Sequence, residues 1–367
     1  MKVAIIHDYI KEYGGAERVL EALCEIYPDA PIFTAFVDKS STAYEHFKGK
    51  EIISSWFNLI PFAGKLASPL RFLTPLIWAS FNFNKYDLVI SSASWYITKG
   101  FKFKDSKFIE ICYCHTPPRW LYGYTTSVNF QKYAIVRAYG LIVGHFLRLY
   151  DFTRAQKVDY FIANSNQVKK RIQKFYRRDS IVIYPPVHLP KTANTKKGDY
   201  YFIVSRIVGG KGLDLAVEAA EKFGFKLKIA GSPAGYYSID IDKNTSNIEF
   251  LGQVTDQELA KLYSGAKGFL ALSKDEDFGI TLVESMLAGT PVIAFNGGGY
   301  KETVLEGKTG VLFDNYSMDG LIEAIKKFEK TKFDFEEIKK HAQKFSKERF
   351  EKEIKEFIKV YARTSRN

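Results

Sequence analysis

Two doubly wound α/β domains, each built on a parallel sheet with helices on both faces, are the fold class this sequence predicts. Three observations predict it. The chain has 367 residues, more than one core usually serves. Short runs rich in β-branched and aromatic residues alternate with longer runs of helical period, which is the grammar of parallel sheets covered by helices. That grammar stops at "IVIYPPVHLPKTANTKKGDYYFIVSR", from Ile181, and then restarts.

In the first half, "KVAIIHDY", "PIFTAF", "YDLVISS", "FIEICYCH" and "VDYFIANS" read as strands, with "GGAERVLEALCEIY" as a helix. In the second half, "YYFIVSR", "KLKIAG", "NIEFLG", "GFLALS", "PVIAF" and "TGVLF" read as strands, with "LDLAVEAAEKF" and "DQELAKLYSGA" as helices. The expected division is a domain over 1–185, a linker over 186–198, a second domain over 199–345 and a helix over 346–367. In that last helix Phe350, Ile354, Phe357, Ile358 and Tyr361 fall at helical spacing, so it packs back on the body. Two such domains leave a cleft between the carboxyl ends of their strands, the expected ligand site.

Lysine and arginine exceed aspartate and glutamate by 53 to 41, a formal charge of +12 that favours acidic partners such as nucleotides, phosphorylated ligands or an anionic membrane. Three cysteines, Cys24, Cys112 and Cys114, are too few for a disulfide framework, and "MKVAIIHDYI" lacks the long apolar core of a signal peptide. A cytoplasmic location is expected. The most apolar region, Ser54 to Phe83, is interrupted by Lys65 and Arg71 and broken by Pro61, Pro69 and Pro75, short of the ~20 residues needed to span a bilayer. It reads as a pair of core-packed helical segments, or as an interfacial surface with Trp56, Phe57 and Trp78 at the headgroups.

"SKDEDFGITLVESMLAGTPVIAFNGG" places Glu276 just before a buried helix and Glu284 inside it, on the order of 10 Å apart at ~1.5 Å per residue. That is long for the paired carboxylates of glycoside hydrolysis. It suits one carboxylate gripping each end of an elongated ligand whose middle, a diphosphate, lies on the helix N-terminus after Gly279. A solvated loop acid and a buried capping acid account for the same two residues. In "SRIVGGKG", Arg206 and Lys211 follow a strand and can converge on phosphate oxygens, Arg as a fork and Lys as a mobile charge. Gly14 and Gly15 in "YGGAERV" allow close approach to a ligand or form a tight turn, and no G-x-G-x-x-G fingerprint is present. In "CYCHTPPRW", His115 can exchange hydrogen bonds with a ligand hydroxyl or serve the structure; the neighbouring cysteines lack the further ligands of a zinc site.

Together these clusters resemble the retaining, metal-independent nucleotide-sugar glycosyltransferases of the GT-B fold, family 4, in which two Rossmann-like domains face each other across a cleft. The Glu276 to Glu284 spacing matches that family's E-x7-E motif, with "FGIT" inside it and "AGTPVIAFNGGGYKETV" after it; "SRIVGGKG", "GGAE", "CHTP" and "IANSNQVKKRI" match its other loops. The likeness covers essentially the whole chain, and its nearest flavour is the mannosyltransferases of surface-polysaccharide assembly.

The resemblance implies roles. Arg206 and Lys211 bind the donor diphosphate with the amides of Phe278, Gly279, Ile280 and Thr281 and with the Gly14–Gly15 loop. Glu284 holds the ribose, Glu276 the transferred sugar's hydroxyls, and His115 sits beside sugar and acceptor. Gly231 and Val254 contact the nucleotide. The donor is a nucleotide-sugar, GDP-mannose before a UDP-sugar; no metal is required, although "DED" from Asp275 mimics a D-x-D. The acceptor is a lipid-linked glycan at an anionic membrane surface. Two competing readings are a sugar-nucleotide epimerase of the same fold and a basic binder of membrane or nucleic acid using Lys169, Lys170, Arg171, Lys174, Arg177 and Arg178.

Overall fold

Strands that are buried along their whole length need cover on both faces, and the three central strands of the N-terminal sheet are of that kind: β1 (Val3–His7), β4 (Leu88–Ala93) and β5 (Ile109–Cys114). With β2 (Ile32–Thr34), β3 (Ile52–Ser54), β6 (Tyr160–Ala163) and β7 (Ile181–Val182) they form a seven-stranded parallel sheet in the order β3-β2-β1-β4-β5-β6-β7. The computed structural model describes residues 1–124, 133–190, 196–206, 210–231 and 246–364. These fall into two units, the first holding this sheet and the second the described part of 187–346.

The helices of the first unit are α1 (Gly15–Ile26), α2 (Thr42–His46), α3 (Ala63–Leu66), α4 (Thr74–Ala79), α5 (Ala134–Ala155) and α6 (Asn166–Tyr176). Helix α1 begins where Glu17 reaches back to accept the N–H of Gly14 at 2.9 Å, satisfying a donor that the helix itself leaves open. Helix α6 is capped in the same spirit by Ser165, whose Oγ accepts from Val168.

The second unit repeats the plan. Strands β8 (Tyr201–Val204), β9 (Leu227–Ala230), β10 (Ile248–Gly252), β11 (Gly268–Ala271), β12 (Val292–Phe295) and β13 (Gly310–Phe313) form a six-stranded parallel sheet in the order β10-β9-β8-β11-β12-β13. Its helices are α7 (Leu213–Phe223), α8 (Asp256–Gly265), α9 (Ile280–Leu287), α10 (Tyr300–Thr303), α11 (Met318–Lys330) and α12 (Phe335–Ala342). Val187 belongs to this unit, its N–H donating to the carbonyl of Phe345 at 2.9 Å, and Gly198 donates to Gly265 at 2.7 Å. Helix α13 (Lys347–Thr364) returns to the first unit, where Phe350, Ile354, Phe357 and Ile358 enter the core under β1 and α1. Burying each such side chain is worth about 1.5–3 kcal/mol.

In each sheet the chain reverses its direction of travel beside the first strand, between β1 and β4 and between β8 and β11. Carboxyl ends of strands at such switch points are where open α/β sheets leave room for ligands.

In the region Ser54–Phe83 the prolines leave two short helical segments, α3 and α4, and two single 3₁₀ turns, Trp56–Leu59 and Arg71–Leu73. Phe57 and Trp78 are buried, and the Trp78 indole donates to the Tyr96 carbonyl at 2.7 Å, so neither reaches a headgroup; Trp56 is partly exposed. Part of the basic run that the competing binder reading uses is engaged internally. Arg171 is buried and donates to Thr116 Oγ1 at 2.9 Å, and Arg178 donates to the carbonyls of Ala155, Gln156, Val158 and Asp159. Among the described residues no helix is long and apolar enough to cross a membrane.

Candidate active site

The switch point of the second sheet holds some of the residues that the sequence singles out, Lys211 and Glu276 in contact among them. Arg206 is exposed just beyond the carboxyl end of β8; residues 207–209 of its loop lie outside the described residues. Lys211 precedes α7, and its Nζ meets Glu276 Oε2 at 2.7 Å, both side chains part-buried. Glu276 stands in the loop between β11 and α9. Sequence positions 65 apart are thus joined into one ion pair at the end of the central strands. Asp275, Glu276 and Asp277 concentrate negative charge in this loop, and Lys211 offsets part of it.

The backbone here leaves room for nothing larger than glycine at Gly279, Gly297, Gly298 and Gly299. Gly279, the N-cap of α9, has φ +95°, and a Cβ on it would stand 2.6 Å from the Tyr300 ring. Gly298, at φ +53°, would press a Cβ to 2.2 Å from the Glu276 carbonyl, which accepts the N–H of Gly299 at 2.8 Å. The "NGGG" run therefore clamps the backbone of the Glu276 loop. Phe278 is buried with its ring 5.5 Å from that of Phe345, so it anchors the loop by packing and has only backbone to offer a ligand. Ile280 and Thr281 open α9 and are half-buried.

Glu284 lies within α9, buried, and accepts the Tyr263 hydroxyl at 2.9 Å. Sequence reasoning did not single out Tyr263. Gly231, at φ +132° after β9, would drive a Cβ to 1.9 Å from the Ser205 carbonyl, so local packing already demands glycine there. Val254 is half-buried in the loop between β10 and α8.

In the first unit, Gly14 caps α1 and Gly15 opens it. His115 follows β5, buried, with its Nε2 2.8 Å from Ser92 Oγ. Burial first, and the neighbouring His7 second, hold its pKa down to about 3, so the imidazole is neutral at physiological pH. Cys112 and Cys114 are buried in β5 as free thiols. Among the described residues no group of three His, Cys, Asp or Glu side chains is placed to hold a metal ion.

Residues 187–363 match the family model for glycosyl transferases group 1. The matched segment takes in the described part of the second unit and most of α13. An uncharacterized glycosyltransferase of Methanocaldococcus jannaschii is 31% identical over 189 residues, 50% of this chain and 52% of that protein. The alpha-1,3/1,6-mannosyltransferase ALG2 of Dictyostelium discoideum is 25% identical over 283 residues, 63% of this chain and 64% of that protein. The chain thus spans about half the length of the first relative. Two solved structures superpose over 98% of the chain: Anabaena Alr3699/HepE in complex with UDP-glucose, at 17% identity, TM-score 0.69 and 100% of that chain, and sucrose-phosphate synthase from Thermosynechococcus elongatus, at 17%, 0.70 and 99%. At those identities the likeness is one of fold: two parallel-sheet, Rossmann-like domains of the GT-B kind.

Proposed function

We propose that this chain transfers a hexose, mannose from GDP-mannose, to a hydroxyl of a growing lipid-linked glycan, with retention of configuration and without a metal. The observation that carries the reading is the Lys211–Glu276 pair at the switch point of the glycosyltransferase domain's sheet, beside the N-terminus of α9. Lys211 and Arg206 neutralise the departing diphosphate, the amides after Gly279 add donors along the helix axis, and Glu276 is left to meet sugar hydroxyls. Glu284 holds the ribose and His115 meets a hydroxyl of the sugar or acceptor. The demand is for fixed charges around a developing leaving group.

The mannosyltransferase relative supports mannose, whereas the UDP-glucose complex of the HepE neighbour supports a UDP-sugar as the alternative donor. A thermal-shift screen with GDP-, UDP- and ADP-sugars separates them: a shift with GDP-mannose alone is expected, and a preference for UDP-glucose overturns the mannose assignment. Turnover is expected to survive EDTA, and full loss restored by Mg²⁺ or Mn²⁺ overturns metal independence. Release of GDP from GDP-mannose without an acceptor would mark an epimerase instead.

The same reading places the acceptor at the cytoplasmic face of an anionic membrane, and α5 supports it. Along this 22-residue helix Ile135, Leu141, Ile142, Phe146 and Leu149 are 85, 65, 62, 66 and 55% exposed. No Asp or Glu occurs from Ile111 to Tyr150 or from Ile52 to Tyr86, while Lys65, Arg71, Arg137 and Arg148 do. The Tyr139 hydroxyl donates to the Pro69 carbonyl, joining the two stretches. An exposed apolar strip in a sequence stretch that carries arginines but no acidic residue suits anionic headgroups. Vesicles containing phosphatidylglycerol should sediment the protein, and Ile142→Asp with Phe146→Asp should weaken this at least about tenfold while leaving donor binding intact. Undiminished sedimentation of the double variant overturns α5 as the contact.

A further inference from the structure

Three side chains stand side by side at the carboxyl ends of β1, β4 and β5, at the switch point of the first sheet. His7 and Ser92 are partners in the β1–β4 register, and His115 follows the end of β5. They are linked: His7 Nδ1 lies 3.0 Å from Ser92 Oγ, and Ser92 Oγ lies 2.8 Å from His115 Nε2. The chain continues outward from His7 Nε2 to Glu17 Oε1 at 3.3 Å, and the other Glu17 oxygen takes the Gly14 N–H at 2.9 Å. All four side chains are buried. Among the described residues His115 Nδ1 has no hydrogen-bond partner.

We propose that Glu17, His7 and Ser92 are positioning residues that fix the tautomer of His115, so that it presents an unprotonated Nδ1 to a hydroxyl of the substrate. The proposal rests on the transferase reading for its catalytic consequence, and on hydrogen-bond capacity for its direction. Both oxygens of the Glu17 carboxylate are used as acceptors, so His7 must donate from Nε2. With His7 in its neutral form, an imidazole that donates at Nε2 accepts at Nδ1, which turns the Ser92 O–H toward His7. The Ser92 oxygen then accepts, and His115 must donate from Nε2. Its lone pair is thereby left on Nδ1. The low affinity of buried His115 for a proton keeps that nitrogen an acceptor at neutral pH. The glycine loop acquires a purpose in the same chain. Gly14 holds the second Glu17 oxygen, and a Cβ at Gly14 would come to 3.3 Å from it.

Glu17→Gln tests the direction while keeping size and the Gly14 bond. A glutamine amide can donate to His7 Nε2, which reverses every bond in the chain and leaves His115 protonated at Nδ1. ¹⁵N–¹H correlation spectra of the substrate-free protein should show His115 as the Nε2–H tautomer in the wild type and shifted toward Nδ1–H in Glu17→Gln. Ser92→Ala, which cuts the chain, should lose the tautomer preference. Both variants should lower kcat on the order of a hundredfold with donor KM within about twofold, because a hydroxyl acceptor is lost rather than donor affinity. A folded Glu17→Gln with an unchanged His115 tautomer, or a folded Ser92→Ala with wild-type kcat, overturns the proposal. The spectra need no donor: a tautomer shift in a protein that turns over no nucleotide-sugar would sink the transferase reading and leave the relay standing.

Discussion

Alanine at Lys211 is expected to lower kcat/KM for the nucleotide-sugar by about 10²- to 10³-fold, or about 3–4 kcal/mol of transition-state stabilisation, with the fold intact. The lysine is bonded to the Glu276 carboxylate, with Asp275 and Asp277 in the adjacent sequence positions. Its loss would remove a charge from the departing diphosphate and also the ammonium bonded to Glu276 beside it. Those two consequences predict non-additivity. Glu276→Ala alone should weaken sugar turnover, yet in the Lys211→Ala background it should recover part of the donor affinity, because a repelling carboxylate is gone. A coupling of about 0.5–3 kcal/mol in the double-mutant cycle is the expected size for groups in direct contact. Steady-state kinetics with calorimetric donor affinities measures all four corners. Wild-type kcat/KM in Lys211→Ala would reduce the pair to a surface ion pair, of the kind worth about 0–1 kcal/mol.

The alternation of strands and helices was legible because fully buried parallel strands must be continuous apolar runs, and "KVAIIHDY", "YDLVISS" and "GFLALS" are such runs. The Glu276 loop was legible because its chemistry is compressed into a few successive residues. Helix α5 was not. Its apolar residues, Ile135, Ile142, Phe146 and Leu149 among them, lie on the exposed side while Leu147 packs inward, so the sequence lacks the clean stripe of a helix with one buried face. The relay was invisible for another reason. His7, Ser92 and His115 meet only because β1, β4 and β5 are neighbours in the sheet, and no local spacing encodes that adjacency. Glu17 carried a faint signal, a glutamate three residues after the N-cap of α1, but Gly14 stands where a serine or threonine would normally announce the box.

Asp151→Ala should be the most destabilising single change in the first unit. Asp151 is fully buried in α5, and Lys99, 2% exposed after β4, pairs with it; the Tyr122 hydroxyl donates to the other oxygen at 2.7 Å. The Lys99 ammonium also lies 4.7 Å from the centre of the Tyr176 ring. Burial is the largest effect and disfavours the lysine's charge, but Asp151 and the other groups around it together hold its pKa above the ordinary value, so the ion pair persists through neutral pH and is lost only in strong alkali. Removing the aspartate strands a buried ammonium, at about 3–5 kcal/mol, which for a unit of this size lowers Tm by roughly 6–20 °C. Joint replacement, Lys99→Met with Asp151→Leu, should return most of that loss, since two apolar side chains of similar volume need no counter-charge. Calorimetry on the three variants decides the matter, and a Tm for Asp151→Ala within about 2 °C of wild type would mean that water reaches Lys99. The pair ties α5 to the loops after β4 and β5, so the same variant should lose vesicle sedimentation before it loses donor binding. Rigid seating of α5 is then what allows Ile142 and Phe146 to stay in water as a fixed apolar strip instead of collapsing onto the protein.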